Sequence, residues 1–298
     1  MDIRQSPIYG HFMEKIGWRM EQVGKWQAFI KQFLFLGSFI KIQRIKKPIP
    51  FAEIEELAKK YRAFKVAIEP DNPLEESLEK EFYEHGYRIN NSPFLPTKTL
   101  KVDLDLPVEQ IFSLFREAKR RAVRRAIKNG AVIKESDDIE NFIQMKNNQL
   151  GILKFFLGHF QKKEIIALWQ TFFPKNAILL LAFKSAKTDT SSSTQAYASS
   201  GDKPIAGVLL LFYDEVAYYW LAAATNEGKK LFAPSLLVWE AIKLAKKRGG
   251  RIFDFEGIYD PRFPQKSWSG FSKFKKGFGG KEITWSPPLV KTSLLWYK

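Results

Sequence analysis

The stretch that most constrains the fold of this chain is Phe232 to Gly280, which reads in order as a helix, a buried strand, a loop and a compact block of aromatics, lysines and glycines. Pro234 and Ser235 mark the helix start, since proline suits a first turn and a serine oxygen can accept from an orphan amide. Leu237, Ala241, Leu244 and Ala245 recur at helical spacing, with Glu240, Lys243, Lys246 and Lys247 on the other side. Cations in the last turn and Gly249-Gly250 then end the helix. In RIFDFEGI the apolar Ile252, Phe253 and Phe255 leave Asp254 and Glu256 near the carboxyl edge of a strand. Carboxylates there either point into a cleft or are solvated or paired with a lysine. The block that follows sets Lys273, Lys275 and Lys276 among Phe271, Phe274 and Phe278. Spacing alone leaves a cationic surface and a phosphate or oxyanion site equally open.

With 298 residues, 45% of them apolar, the chain can bury a large core. Its 48 Lys and Arg against 32 Asp and Glu give a formal charge of +16, which admits nucleic acid, anionic lipid or phosphorylated precursors as partners. The absence of cysteine removes disulfides, thiolate catalysis and thiolate metal sites together. His11, His85 and His159 have no partner at metal-ligand spacing, so neither a metal nor a cofactor is expected. The amino terminus lacks a signal-peptide pattern, and the longest apolar runs are too short to span a bilayer. The expected location is the cytoplasm, with a peripheral contact at the inner membrane surface admissible.

Two rounds of strand and helix follow one another along the chain. QSPIYGHFMEKIGW carries a turn signal and a short helix. There Tyr9, Trp18 and Arg19 are either core and surface residues or the lining of a pocket. FLFLGSFIKIQRI reads as a hairpin closed at Gly37-Ser38. A small α/β pattern fills the first hundred residues, and SPFLPTKT reads as a linker. Beyond it, residues 108 to 129 read as one helix whose stripe is Ile111, Leu114, Phe115, Ala118 and Ala122. That phase puts Arg116, Arg120, Arg124 and Lys128 in a row along the outside, with Glu117 able to offset only Arg121. Lys119, Arg121 and Arg125 complete the densest basic cluster of the chain, and a phosphate backbone is its favoured partner over plain solvent. Residues 184 to 203 read as a flexible loop.

From Ala177 to Ile258 the order strand, hairpin, strand, loop, helix, strand resembles an N-acetyltransferase-like fold. The acetyl-CoA form of that fold carries a glycine-rich loop before its central helix, where backbone amides approach a pyrophosphate. Here the loop is TNEGKKLFAPS, with one glycine and a proline, so the CoA cradle is missing. APSLLVWEAIKLAKKRGGRIFDFEGI and GFSKFKKGFGG, and to a lesser extent QSPIYGHFMEKIGW, FYEHGYR and KRRAVRRAIKNGAVI, resemble the FemABX aminoacyl-tRNA-dependent transferases, which extend peptidoglycan precursors.

The resemblance implies an α/β fold with mixed sheets, made of two tandem acetyltransferase-like domains. Residues 1–98 with 285–298 would bind the acceptor, and residues 99–284 would take the aminoacyl-tRNA. No heptad-patterned helical arm is expected. The resemblance further implies that Phe274 and Lys275 match the family's catalytic pair. Acceptor-binding candidates are Tyr9, Trp18, Arg19, Lys154, Asp254, Glu256 and Tyr259, with Glu256 standing where the family usually has glycine. The basic row Lys119, Arg120, Arg121, Arg124, Arg125 and Lys128, with Lys276, is the candidate tRNA contact. The implied partners are aminoacyl-tRNA and a nucleotide- or lipid-linked muropeptide, acting on a monomer. An acyl-CoA N-acyltransferase and a non-catalytic tRNA- or RNA-binding protein are the competing readings.

Overall fold

The computed structural model describes residues 1–71, 75–149, 154–185, 203–263 and 268–292, so most of the loop predicted at 184–203 lies outside the described residues. In chain order the helices are α1 (Pro7–Lys15), α2 (Phe51–Lys60), α3 (Glu76–Glu84), α4 (Val108–Ser113), α5 (Glu117–Lys128), α6 (Ile139–Asn148), α7 (Lys154–Phe172), α8 (Asn226–Lys230), α9 (Ala233–Lys247) and α10 (Trp268–Lys275). The strands are β1 (Arg19–Val23), β2 (Trp26–Phe33), β3 (Gly37–Ile45), β4 (Ala63–Pro70), β5 (Arg88–Ile89), β6 (Lys98–Asp103), β7 (Ala131–Ser136), β8 (Ala177–Lys184), β9 (Ala206–Tyr213), β10 (Val216–Ala224), β11 (Ile252–Asp254), β12 (Lys281–Thr284) and β13 (Leu289–Thr292). They form two mixed sheets, ordered β1-β2-β3-β4-β13-β5 and β12-β6-β11-β10-β9-β8-β7.

The chain divides into two compact units. The first comprises Met1–Thr99, Gly257–Ser269 and Glu282–Lys298, and the second comprises Leu100–Glu256 and Gly270–Lys281. Residues 257–269, which the sequence reading put with the second domain, therefore pack with the first unit.

In the first unit β1, β2 and β3 run antiparallel, and β4 joins β3 in parallel. Alternate residues of these strands (Ala28, Ile30, Ile40, Ile42, Val66, Ile68) face the packed side of α2 and α3, where Ile54, Leu57, Leu78 and Phe82 close the core. The β2–β3 hairpin closes through Leu34–Leu36, one step before the expected Gly37-Ser38, with the Leu36 amide donating to the Phe33 carbonyl.

In the second unit β8, β9 and β10 are long antiparallel strands, nearly all apolar because both faces are covered. α9 lies against them through Leu237, Val238, Ala241, Ile242 and Ala245. Its start differs from expectation. Phe232, in the left-handed region at φ 61°, is the N-cap, and Ser235 is buried within the first turn instead of capping it. The single basic helix also breaks in two. Arg116 leaves helical geometry at ψ 146°, where its amide donates to the Gly277 carbonyl, so α5 begins a new phase. Leu114 and Ala118 are consequently exposed, and the buried stripe is Phe115, Ala122, Val123 and Ala126.

α8 is held to the start of β9 through Thr225, whose hydroxyl caps the Gly228 amide and donates to the Ile205 carbonyl. A Cβ on Gly228 would collide with that same carbonyl. Gly228→Ala should therefore cost about 2 kcal/mol, the usual scale of overpacking, measured by chemical denaturation. An unchanged midpoint would contradict this packing.

Candidate active site

The second unit contains a cavity of about 650 Å³ where two neighbouring strands part. β10 pairs with β11 in parallel only from Val216–Tyr218 to Ile252–Asp254. Just beyond, the β9–β10 register shifts between Tyr219 and Leu221, so Trp220 is the extra residue of a bulge, a device that re-aims side chains. β11 ends because Asp254 turns its carboxylate onto the Glu256 amide at 2.9 Å, and Glu256 takes φ 51°. This left-handed conformation is one glycine adopts freely. The cavity is lined by β10 from Tyr219 to Ala224, by Phe232 and Pro234 before and within α9, and by Phe271, Phe274 and Lys275 of α10.

Lys275 is the central group. Its side chain is buried to 9% exposure, with Nζ donating to the Phe255 carbonyl at 2.7 Å and lying 4.9 Å from the Phe271 ring centre and 5.8 Å from that of Tyr219. Burial pushes its pKa down to about 8, against the opposing pull of the Glu256 and Asp254 charges and with the help of Lys146. Asp254 is buried, 3.5 Å from Lys101. Phe274, the other member of the predicted pair, forms a wall and seats the Lys119 ammonium 3.8 Å from its ring centre. Lys119 reaches there across Gly277, where any Cβ would meet its stem, and burial also lowers its pKa to about 8. Lys146 of α6 closes the far side, donating to the Ala222 carbonyl at 3.1 Å, its pKa lowered by burial. Lys229 lines the same cavity. A more polar hollow of about 790 Å³, with Asn141, Gln144, Asn148 and Asn226, shares Gln149, Ala224 and Lys229 with it.

The remaining predicted residues divide plainly. Arg120 is half-buried and not on an outer row, because the new phase of α5 lets it donate to the Ser113 and Phe115 carbonyls at the end of α4. Arg121, Arg124, Arg125 and Lys128 are exposed, Arg121 lying 3.6 Å from Glu117 as the spacing implied. Lys276 is half-buried in the 3-10 turn after α10. In the first unit Tyr9 is a core residue, edge-on to Phe12 and Phe29. Trp18 is half-buried against Phe39, and Arg19 is exposed, 3.2 Å from Glu21. Tyr259 lines a small pocket of about 220 Å³ with Pro96, Asp260 and Trp268. Lys154 begins α7, and its side chain lies outside the described residues. Among the described residues no group of three or more His, Asp or Glu could hold a metal ion, and no helix is long and apolar enough to cross a membrane.

Lys146, Tyr219 and Trp220 were not singled out from sequence. Lys146 sits in an ordinary amphipathic helix, and only burial against the parted strands makes its charge unusual.

Two α/β units with mixed sheets, the second parting around an aromatic-walled cationic cavity, make up a tandem acetyltransferase-like fold. The FemAB family model matches residues 175–284, the segment that builds most of this cavity. The Lipid II:glycine glycyltransferase of Staphylococcus haemolyticus is 20% identical over 76% of this chain and 68% of its own length, and that of Staphylococcus aureus is 21% identical over the same shares. A crystal structure of FemX shares the fold at a TM-score of 0.74, with 16% identity over 98% of this chain and 92% of that one. The L-PGS structure from Bacillus licheniformis has a TM-score of 0.58, with 15% identity over 95% and 86%. The chain is thus similar to the FemAB family over residues 175–284 and shares the fold of FemX.

The buried Lys275 charge makes a stability prediction. Its folded pKa lies below the value for an unfolded lysine, so the unfolded chain binds the extra proton and stability rises as pH climbs from about 8 to about 10.5. At pH 7 the charged lysine costs on the order of 3 kcal/mol. Lys275→Met should therefore be more stable than the parent at pH 7, with the gap narrowing by pH 10 in urea denaturation. A variant less stable at both pH values would contradict the dominance of desolvation.

Proposed function

We propose that the chain transfers an amino acid from aminoacyl-tRNA to an amine of a peptidoglycan precursor. The observation that carries this reading is Lys275, a desolvated ammonium held by the Phe255 carbonyl in the wall of a cavity wide enough for an aminoacyl-adenosine terminus. The names of the curated relatives, glycyltransferases acting on lipid II, support the acceptor class.

In this reaction the acceptor nitrogen attacks the ester carbonyl carbon and a C–N bond forms. The bond from carbon to the ribose oxygen then breaks, and that oxygen leaves with a proton originating on the amine. The charge developing on the carbonyl oxygen needs a donor already in place, and a cation in a dry site is worth far more there than in water. The Lys275 ammonium is held at the Phe255 carbonyl, and its neighbours Phe271 and Tyr219 limit competing water. No side-chain nucleophile is needed. Lys119, Lys146 and Lys229 give the cavity the positive potential that a nucleic-acid terminus requires, and Phe274 offers a ring for a base. The exposed Arg121, Arg124, Arg125 and Lys128 would meet the phosphate backbone beyond it. Acceptor recognition is assigned to the first unit, with Trp18, Arg19 and Tyr259 as its candidate contacts. The protein would work in the cytoplasm as a monomer.

The CoA alternative is disfavoured by the start of α9. Pro234 has no N–H, and the Ser235 and Leu236 amides donate to the Phe232 carbonyl. A pyrophosphate is held by free amides at that point.

Transfer of labelled amino acid from charged tRNA to a muropeptide is the direct assay. Lys275→Ala should lower kcat by about 10²–10³-fold, the scale for losing one oxyanion donor, with little change in KM. Undiminished turnover would remove the assignment. Because the proton on Lys275 must be present, kcat should decline above about pH 8. Glu256→Gln removes a charge that supports that proton, so the decline should move to lower pH. An unmoved alkaline limb would show that Lys275 does not set it.

A further inference from the structure

The tip of the β2–β3 hairpin carries four consecutive apolar residues, Phe33-Leu34-Phe35-Leu36, that contribute little to any core. Leu34 is 87% exposed, Phe35 is fully exposed and Leu36 is 72% exposed. Consecutive residues around a reverse turn point in different directions, so the tip is apolar on all sides and offers no flat face for another protein to match. Phe35 holds φ 67°, a left-handed conformation where a bulky side chain is an outlier and asparagine or glycine would sit without strain. The fold thus keeps a large ring at the apex at a cost to itself.

The base of the hairpin is firm. The Ser38 amide donates to the Arg62 carbonyl at 3.2 Å, and Phe33 packs 5.8 Å from Phe64. The charge around it is one-sided. From Gly24 to Ala52 the chain has six Lys and Arg residues and no acid. Lys31 and Lys41, on the two strands below the apex, lie against the Trp18 ring, while on or beside the neighbouring β4 Lys65 lies against the Phe94 ring and Arg62 is exposed. An apolar tip above a belt of tryptophan and lysine is the order in which a membrane interface is met from the hydrocarbon outward. A single bulky tip binds bilayers weakly, and adding basic residues near an anionic surface is what makes such attachment stable.

We propose that residues 33–36 insert into the surface of an anionic lipid bilayer and hold the first unit there. Attachment by this tip stands whether or not the second unit transfers amino acids, and it would bring the protein to where a lipid-linked acceptor resides.

The test is co-sedimentation with vesicles of phosphatidylglycerol and phosphatidylcholine. The full chain is compared with the Leu34→Ser/Phe35→Asn/Leu36→Ser variant. The expected result is at least tenfold weaker binding by the variant, weaker binding of the parent to pure phosphatidylcholine, and no competition by free phosphate. Asn fits the left-handed apex, so the melting temperature should hold or rise. Because the chain has no cysteine, Phe35→Cys also gives a unique labelling site. An environment-sensitive dye there should shift to the blue on anionic vesicles and be quenched by spin-labelled lipid. Equal binding by parent and variant, no vesicle binding by the parent, or a dye that stays in water would each overturn the proposal. So would sedimentation equilibrium showing the parent paired through the tip and the variant monomeric, since the occupant would then be a second copy. Transfer to a nucleotide-linked acceptor in solution should be unchanged in the variant, which separates this attachment from the transferase reading.

Discussion

The second unit depends on β10 and β11, which pair for three residues and then separate inside an otherwise continuous sheet. Strand pairing normally satisfies backbone carbonyls, and buried ones need another donor where pairing stops. Side chains take over that duty here. Lys146 donates to Ala222, Gln149 donates to Ala224, and Lys275 donates to Phe255. Two of the cations of the cavity, Lys146 and Lys275, therefore also serve the backbone where the sheet opens, and those bonds hold them in place.

This double duty explains why charge is tolerated in so apolar a wall. Lys275 and Lys119 both have pKa values lowered to about 8 by burial, so the fold sacrifices stability to keep them charged near neutral pH. A hydrophobic residue at 275 would remove the desolvation cost, at the loss of the donor to the Phe255 carbonyl, and would supply none of the proposed chemistry. Such an opposition between stability and chemistry is a recognised property of functional sites. The left-handed Glu256 is a smaller case of the same kind, since its backbone conformation ends β11 and its carboxylate supports the proton on Lys275.

The architecture was legible because β8, β9, β10 and α9 obey simple periodicities over many residues, and because FKKGFGG packs several chemically distinctive residue types into a short span. Phase errors account for most of what was not. Leu114 and Ala118 fit a helical stripe on paper, but the backbone of Arg116 breaks the helix, so Arg120 turns inward onto the end of α4. Ser235 looked like a cap because it follows a proline, whereas the real cap is the left-handed Phe232, a conformation that no composition rule assigns to phenylalanine. Tyr9 belongs to the core because its helix packs on β2, a tertiary fact. Lys146 carried no signal at all, since only the parting of distant strands makes its position special. The residues after β10 form α8, with the Thr225 hydroxyl capping the Gly228 amide.

The central claim is that the charged Lys275 receives the aminoacyl end of a tRNA in the cavity between the parted strands. The most direct measurement is the ¹⁵N signal of the Lys275 ammonium, observed by NMR while an amide-linked, non-hydrolysable aminoacyl-adenosine is titrated in. A saturable shift at Lys275, absent in Lys275→Met and undisturbed by excess CoA, is the predicted result. Binding that leaves this signal unchanged, or that CoA displaces, would contradict the account.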